Sequence, residues 1–142
     1  MRLLPSHTQI LKACVGNLED THPILQAAYE LASLHEAVRD SFLGESDCIG
    51  RQRAQLVHDI DCWVARTTPA AHGGAQMHTE TVGSVVDRLA HFSVLALETL
   101  ATDIPAQERH IAWQRLSELS IGYSDMIFDV AAGVRRLPAN LP

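Results

Sequence analysis

Apolar residues recur at intervals of three and four along four long segments of this 142-residue chain. Side chains with this spacing share one face of an α-helix, so each segment predicts an amphipathic helix. The last segment shows the pattern best, in the series Ala112, Leu116, Leu119, Tyr123, Met126 and Val130. Apolar stripes on four long helices are enough to close a core. The sequence therefore predicts an all-α fold, a helical bundle of four long antiparallel helices preceded by a short N-terminal helix.

Local signals predict where these helices begin. An S-x-x-Q capping box at Ser6 marks the start of the short first helix. Pro23 suits the first turn of the second helix, and Pro105 that of the fifth. Ser46 and Thr81 are the predicted caps of the third and fourth helices.

The length of the chain predicts one domain, residues 1–142, with its core between about residues 20 and 133. Gly, Pro and small residues fill positions 67–80, so we expect a long loop there. Residues 134–142 are expected to form a basic, proline-limited tail. No segment of the sequence indicates a strand.

Composition argues against two classes of partner. The net charge is −6 and Lys12 is the single lysine, whereas nucleic-acid binding needs a positive field. No run approaches the roughly 20 apolar residues of a membrane span. The N-terminal "MRLLPSHTQ" lacks a long apolar stretch, so no signal peptide is expected. We therefore expect neither nucleic acid nor membrane as a partner.

The histidines and cysteines do not have the spacing of a metal site. The E-x-x-H pattern of bundle metal centres occurs once, at Glu19–His22, and H-x-x-x-H is absent from the sequence. Cys14, Cys48 and Cys62 are odd in number and widely separated, so we expect reduced core thiols in a cytoplasmic protein. No P-loop or G-x-S-x-G motif appears. The sequence predicts no metal and no cofactor.

Charged residues within apolar stripes are the candidates for a site. Arg53 lies on the apolar stripe of the third helix, so it must either reach solvent or pair with a carboxylate. Its candidate partners are Glu36, Asp87 and Asp125. Asp87 and Arg88 are adjacent and point about 100° apart on a helix, so they cannot easily share one partner. We expect one to face a neighbouring helix and the other to face solvent or a second subunit.

Four segments carry a resemblance to a known family. "ETVGSVVDRLAHFSVLALE" resembles the E-T-P-G-x-x-[IV]-D-R-L-S-x-L-x-L-K block of a bacterial family of unknown function, the one numbered 4254. Weaker similarities occur in "LASLHEAVRD", "IGRQRAQLVHDIDCWV" and "LSIGYSDMIFDV". The resemblance runs from about Leu31 to Gly133.

The resemblance implies an intracellular, all-helical bacterial protein, and it implies no activity. The family's motif positions are occupied here by Glu36, Arg39, Arg53, Asp61, Thr81, Gly83, Asp87, Arg88 and Asp125. This sequence departs from the pattern at Ala32 (tryptophan in the family), His35 (glutamate), Ala54-Gln55 (Asn-Asp), Val82 (proline) and Tyr123 (arginine). If the family has a catalytic site, these departures imply a divergent or inactive member.

Two functions from different classes follow as hypotheses. The first is a non-enzymatic bundle that forms a homodimer or binds a partner protein, because Val94, Leu95 and Leu97 extend the apolar stripe of the fourth helix. The second is an enzyme or sensor with a pocket for an anionic metabolite, since guanidinium groups bind such anions well. The residues of that pocket would be Glu36, Arg39, Arg53, Asp87, Arg88 and Asp125. Whether the protein is an enzyme stays open from sequence alone.

Overall fold

The computed structural model describes residues 4–18, 21–40, 47–101 and 103–138. These ranges contain five helices and two short strands. In chain order they are α1 (His7–Cys14), α2 (Pro23–Asp40), α3 (Asp47–Thr67), β1 (Gln76–Met77), α4 (Val82–Ala101), α5 (Ala106–Ala131) and β2 (Arg135–Arg136). The predicted all-α bundle, with four long helices after a short one, is confirmed. Within the same ranges, no helix has both the length and the apolar character to cross a membrane.

The predicted helix starts are confirmed where the structure describes them. Ser6 Oγ accepts a hydrogen bond from the Gln9 N–H at 3.2 Å, and the Gln9 side chain accepts one from the Ser6 N–H at 2.9 Å. Thr81 Oγ1 accepts the N–H of Ser84 at 3.2 Å, which caps α4. The predicted cap Ser46 lies outside the described residues.

Helix α4 is the central element of the fold. It contacts α1, α2, α3 and α5, whereas α5 contacts α4, α1 and β2 but neither α2 nor α3. The side chains of Val82, Val86 and Leu89 on α4 are fully buried. Neighbours on several sides explain the wide apolar surface of this helix, and Val94, expected to serve self-association, is buried within the chain at 8% exposure.

The apolar series of α5 faces the core as predicted. Leu116, Tyr123, Met126 and Val130 are buried. The Tyr123 hydroxyl donates to the Pro5 carbonyl at 2.6 Å, which joins α5 to the segment before α1. Burial of the phenol raises its pKa above the ordinary value.

The expectation of no strand was wrong. Strands β1 and β2 pair in parallel, with Gln76 opposite Arg135 and Met77 opposite Arg136. The N–H of His78 donates to the Arg136 carbonyl at 2.7 Å, extending the ladder. Two-residue strands are too short to show an alternating pattern, so periodicity could not predict them. Parts of the expected loop and the expected tail are thus bonded to each other.

The cysteines differ from the expectation of three core thiols. Cys14 is buried, Cys62 is half-buried and Cys48 is exposed, and all three are free. Burial raises the pKa of the Cys14 thiol to about 12. Cys48 lies in the first turn of α3, where its side chain meets solvent instead of the core.

Gly83 allows α3 and α4 to approach closely, and this generates a prediction. A Cβ on Gly83 would collide with the Val57 carbonyl and would lie 2.8 Å from Asp61 Oδ1. We expect Gly83→Ala to lower the free energy of unfolding by about 2 kcal/mol or more, as overpacking of a core does. Urea unfolding followed by circular dichroism measures the change.

Gly122 of α5 provides the matched control, because a Cβ there would meet nothing within 4 Å. Gly122→Ala should be neutral or stabilise the protein by about 0.5–1 kcal/mol, since alanine favours the helix. Equal effects of the two substitutions would contradict the close approach at Gly83.

Candidate functional site

The carboxylate of Asp87 joins three helices. Asp87 Oδ1 on α4 lies 2.8 Å from His35 Nε2 on α2, and its Oδ2 lies 3.1 Å from Arg53 Nη2 on α3. The side chains of His35, Asp87 and Arg53 are 7%, 15% and 26% exposed. The predicted pairing of Arg53 with a carboxylate is confirmed, and the partner is Asp87.

Arg88 points away from this cluster. Its guanidinium pairs with the Glu80 carboxylate, and its side chain is 44% exposed. The two adjacent charges therefore divide as helix geometry requires. Asp87 faces the neighbouring helices, and Arg88 faces solvent.

The other predicted site residues do not join Arg53 and Asp87. Arg39 pairs with Glu98 at 2.6 Å at the surface, and Glu36 and Asp125 are exposed. Asp125 lies on α5, which contacts neither α2 nor α3, and so it is not placed beside Arg53. The six residues thus form no common pocket, and ligand binding by any of them stays a prediction.

The sequence did not predict that His35 and His91 lie together beside Asp87. The rings of His35 and His91 stack with centroids 4.6 Å apart and planes 9° apart. His35 is four positions after Leu31, on the buried face of α2, and is 6% exposed. This spacing was a usable signal for its burial. Its contact with His91 depends on how α2 packs against α4, which no local pattern encodes.

Electrostatics in the cluster keep Asp87 charged. Burial alone would raise the pKa of Asp87, but hydrogen bonds from His35 and Arg53 outweigh it, so the pKa lies below its ordinary 3.8. Burial lowers the pKa of His91, and positive charge on His35, Arg53 and Arg39 lowers it further, against the opposing effect of Asp87. His91 is therefore held as the neutral imidazole more firmly than an exposed histidine is.

A second cluster lies at the first turn of α4. The buried Asp61 carboxylate on α3 accepts the N–H of Gly83 at 2.7 Å and a hydrogen bond from the Thr81 side chain. Burial raises the pKa of Asp61, and both hydrogen bonds oppose the rise. A carboxylate at this position satisfies an N–H group that the helix leaves unpaired, and it complements the helix dipole.

The chemistry of these clusters is that of ion pairs and caps. Each arginine of the family pattern already faces a carboxylate: Arg39 faces Glu98, Arg53 faces Asp87 and Arg88 faces Glu80. An anionic ligand would have to displace one of those carboxylates. Among the described residues, no three His, Cys, Asp or Glu side chains gather in a group that could hold a metal ion.

The fold and these clusters define an all-α bundle in which charged residues of one sequence block join neighbouring helices. The family model "Protein of unknown function (DUF4254)" matches residues 44–139. The match covers more than half of the chain, so the chain belongs to this family. Arg53, Asp61, Asp87 and Asp125 lie inside the matched range, whereas Glu36 and Arg39 precede it. Comparisons with curated proteins and with solved structures find no significant match.

The role of Asp87 generates a prediction for stability. Asp87→Ala leaves Arg53 half-buried without its carboxylate, and it removes the hydrogen-bond partner of His35. We expect the free energy of unfolding to fall by about 2 kcal/mol, within the range for breaking a partly buried ion pair. Glu36→Ala on the exposed face of α2 is the control and should change it by less than about 0.5 kcal/mol. An Asp87→Ala variant as stable as the control would show that Asp87 does not join the helices.

His91 generates a prediction for pH. Because its folded-state pKa lies below the ordinary 6.5, the unfolded chain binds protons more readily as the pH falls through that value. His91 therefore lowers the free energy of unfolding in weak acid, and it has no such effect at higher pH. When the pH is lowered from about 7.5 to 5.5, we expect the melting temperature of His91→Gln to fall less than that of wild type.

His110→Gln on α5 is the matched control, because His110 is exposed. It should follow the wild-type pH dependence of the melting temperature. If His91→Gln also follows wild type, His91 is not held neutral by its surroundings.

Proposed function

We propose that this protein is a non-enzymatic helical-bundle protein that acts as a homodimer through the outer face of α5. This outer face consists of Gln114, Ser117, Glu118, Ile121, Asp125 and Phe128, which are all exposed. The observation that carries the proposal is the exposure of Phe128 (74%) and Ile121 (63%). These are the two highest exposures among the large apolar side chains that the structure describes.

The position of α5 explains why this face has no neighbour among the described residues. α5 has 26 residues, a length of about 39 Å at 1.5 Å per residue. It packs against α4 and α1 and meets β2 near its end, but it does not contact α2 or α3. Ile121 and Phe128 are seven residues apart, so they lie two turns apart on the same face.

An antiparallel second copy of the same helix can pair with this face without placing like charges directly opposite each other. In an antiparallel pairing with Ile121 on a two-fold axis, Phe128 lies opposite Gln114, and Asp125 lies opposite Ser117. Glu118 then lies opposite Ser124, so no two like charges face each other directly.

The ion pairs support the non-enzymatic part of the proposal. Arg53 and Asp87 each have partners that hold helices together, and the stability of the bundle accounts for their positions. A cytoplasmic location completes the proposal. The free state of Cys14, Cys48 and Cys62 supports it, because disulfides are rare in that compartment.

Sedimentation equilibrium of the full chain tests the proposal. We expect wild type to be dimeric at about 50 µM, and we expect Phe128→Glu to weaken the dimer at least about tenfold, because it replaces the most exposed apolar side chain with a third carboxylate on this face. Leu100→Glu is the matched control. Leu100 is 61% exposed at the C-terminal end of α4, next to the start of α5 and about 30 Å from Phe128.

The control should dimerise like wild type. A wild-type monomer at this concentration would remove the proposal. Equal loss of dimer in the two variants would show that the contact does not lie on the outer face of α5.

A further inference from the structure

A cavity of about 300 Å³ lies at the end of the bundle where α3 finishes and α4 begins. Its lining includes the buried apolar side chains of Val64, Val82 and Val130, from three different helices. Arg135 and Arg136 of β2 also line it. Apolar walls with a few polar groups are typical of a small-molecule site, and this volume is at the lower end of the usual range.

The β1–β2 ladder positions the two arginines. The N–H of His72 donates to the Gly133 carbonyl at 2.8 Å, and the N–H of Gln76 donates to the Val134 carbonyl at 3.2 Å. These bonds hold the segment after α5 against the segment after α3. The β1–β2 pair, which the sequence did not predict, therefore holds β2 as one wall of the cavity.

Arg136 differs from the paired arginines of the helices. Its described partner is the neutral carbonyl of Gly73, which accepts from Nη2 at 3.1 Å. Arg135 donates instead to the Asp129 carboxylate at 3.1 Å, so its charge is offset. A guanidinium carries five N–H donors, and this bond to Gly73 uses one of those of Arg136. Arg136 thus has donors and charge for an anion at the cavity.

The single carboxyl group among the lining residues is already engaged. Asp61 accepts the N–H of Gly83 at 2.7 Å and a hydrogen bond from Thr81. Its position at the cap of α4 accounts for its presence at the cavity, and its oxygens already accept these two hydrogen bonds, whereas the described partner of Arg136 is a neutral carbonyl. The polar part of the lining therefore favours an anion over a cation.

We propose that this cavity binds a small aliphatic carboxylate, with the carboxylate on Arg136 and the hydrocarbon chain against Val64, Val82 and Val130. Water in the liquid occupies about 30 Å³ per molecule, so the volume limits the ligand to roughly ten non-hydrogen atoms. This binding is independent of self-association, because the outer face of α5 does not include the lining residues.

Amide chemical shifts of the full chain, titrated with four probes, test the proposal. Hexanoate should shift the amides around Thr68, Val82 and Leu137, and should bind at least about tenfold tighter than acetate because its longer chain buries more apolar surface. 1-Hexanol, which lacks the charge, should bind about tenfold more weakly than hexanoate. No shift of these amides with hexanoate at about 10 mM, or equal shifts with inorganic phosphate, would overturn the proposal.

Two variants, Arg136→Gln and Ala71→Leu, test whether the ligand lies in this cavity, and Arg51→Gln is their control. Arg136→Gln should weaken hexanoate binding about tenfold, and Arg51→Gln, an exposed arginine in the first turns of α3, should leave it unchanged. Ala71→Leu fills the cavity while keeping Arg136, and should abolish binding even if Arg136→Gln also loosens its bond to Gly73. Unchanged hexanoate binding in both Arg136→Gln and Ala71→Leu would show that the ligand lies elsewhere.

Discussion

The carboxylate of Asp87 is the contact on which the arrangement of α2, α3 and α4 depends. Arg53 lies on the inward face of α3, where an unpaired charge would cost several kcal/mol. Both oxygens of Asp87 accept hydrogen bonds from Arg53, and Oδ1 also binds His35. Because α4 is the one helix that contacts all the others, fixing α2 and α3 to it fixes most of the bundle.

The sequence block around Asp87 is explained position by position through packing. Thr81 caps α4, Gly83 allows α3 to approach, Asp87 joins three helices and Arg88 pairs with Glu80 at the surface. His35 gives the cluster its particular chemistry. Its ring nitrogen lies 2.8 Å from Asp87 Oδ1, and this hydrogen bond favours the charged form of the aspartate.

Local rules predicted the helices and part of the site. Apolar spacing located the four long helices, and the capping residues Ser6 and Thr81 located the starts of the short α1 and of α4. The cost of burying a lone charge predicted that Arg53 would need a carboxylate. The stacking of His35 on His91 and the β1–β2 ladder were beyond reach, because both depend on residues far apart in sequence. The expectation that Val94 serves self-association was wrong for a related reason. An apolar residue off the main stripe can meet either a second protein or another helix of its own chain, and periodicity does not distinguish the two.

A double-mutant cycle between Arg53 and Asp87 measures most directly whether this pair joins α3 to α4. The free energies of unfolding of wild type, Arg53→Met, Asp87→Ala and the double variant give the coupling between the two side chains. We expect Arg53→Met alone to cost less than Asp87→Ala, because Asp87 keeps its bond with His35 and methionine retains the apolar packing of the arginine stem. We also expect Asp87→Ala to cost about 1–2 kcal/mol less in the Arg53→Met background than in wild type, since the guanidinium that pairs with Asp87 is absent there. Strictly additive effects would contradict a pairing of Arg53 with Asp87.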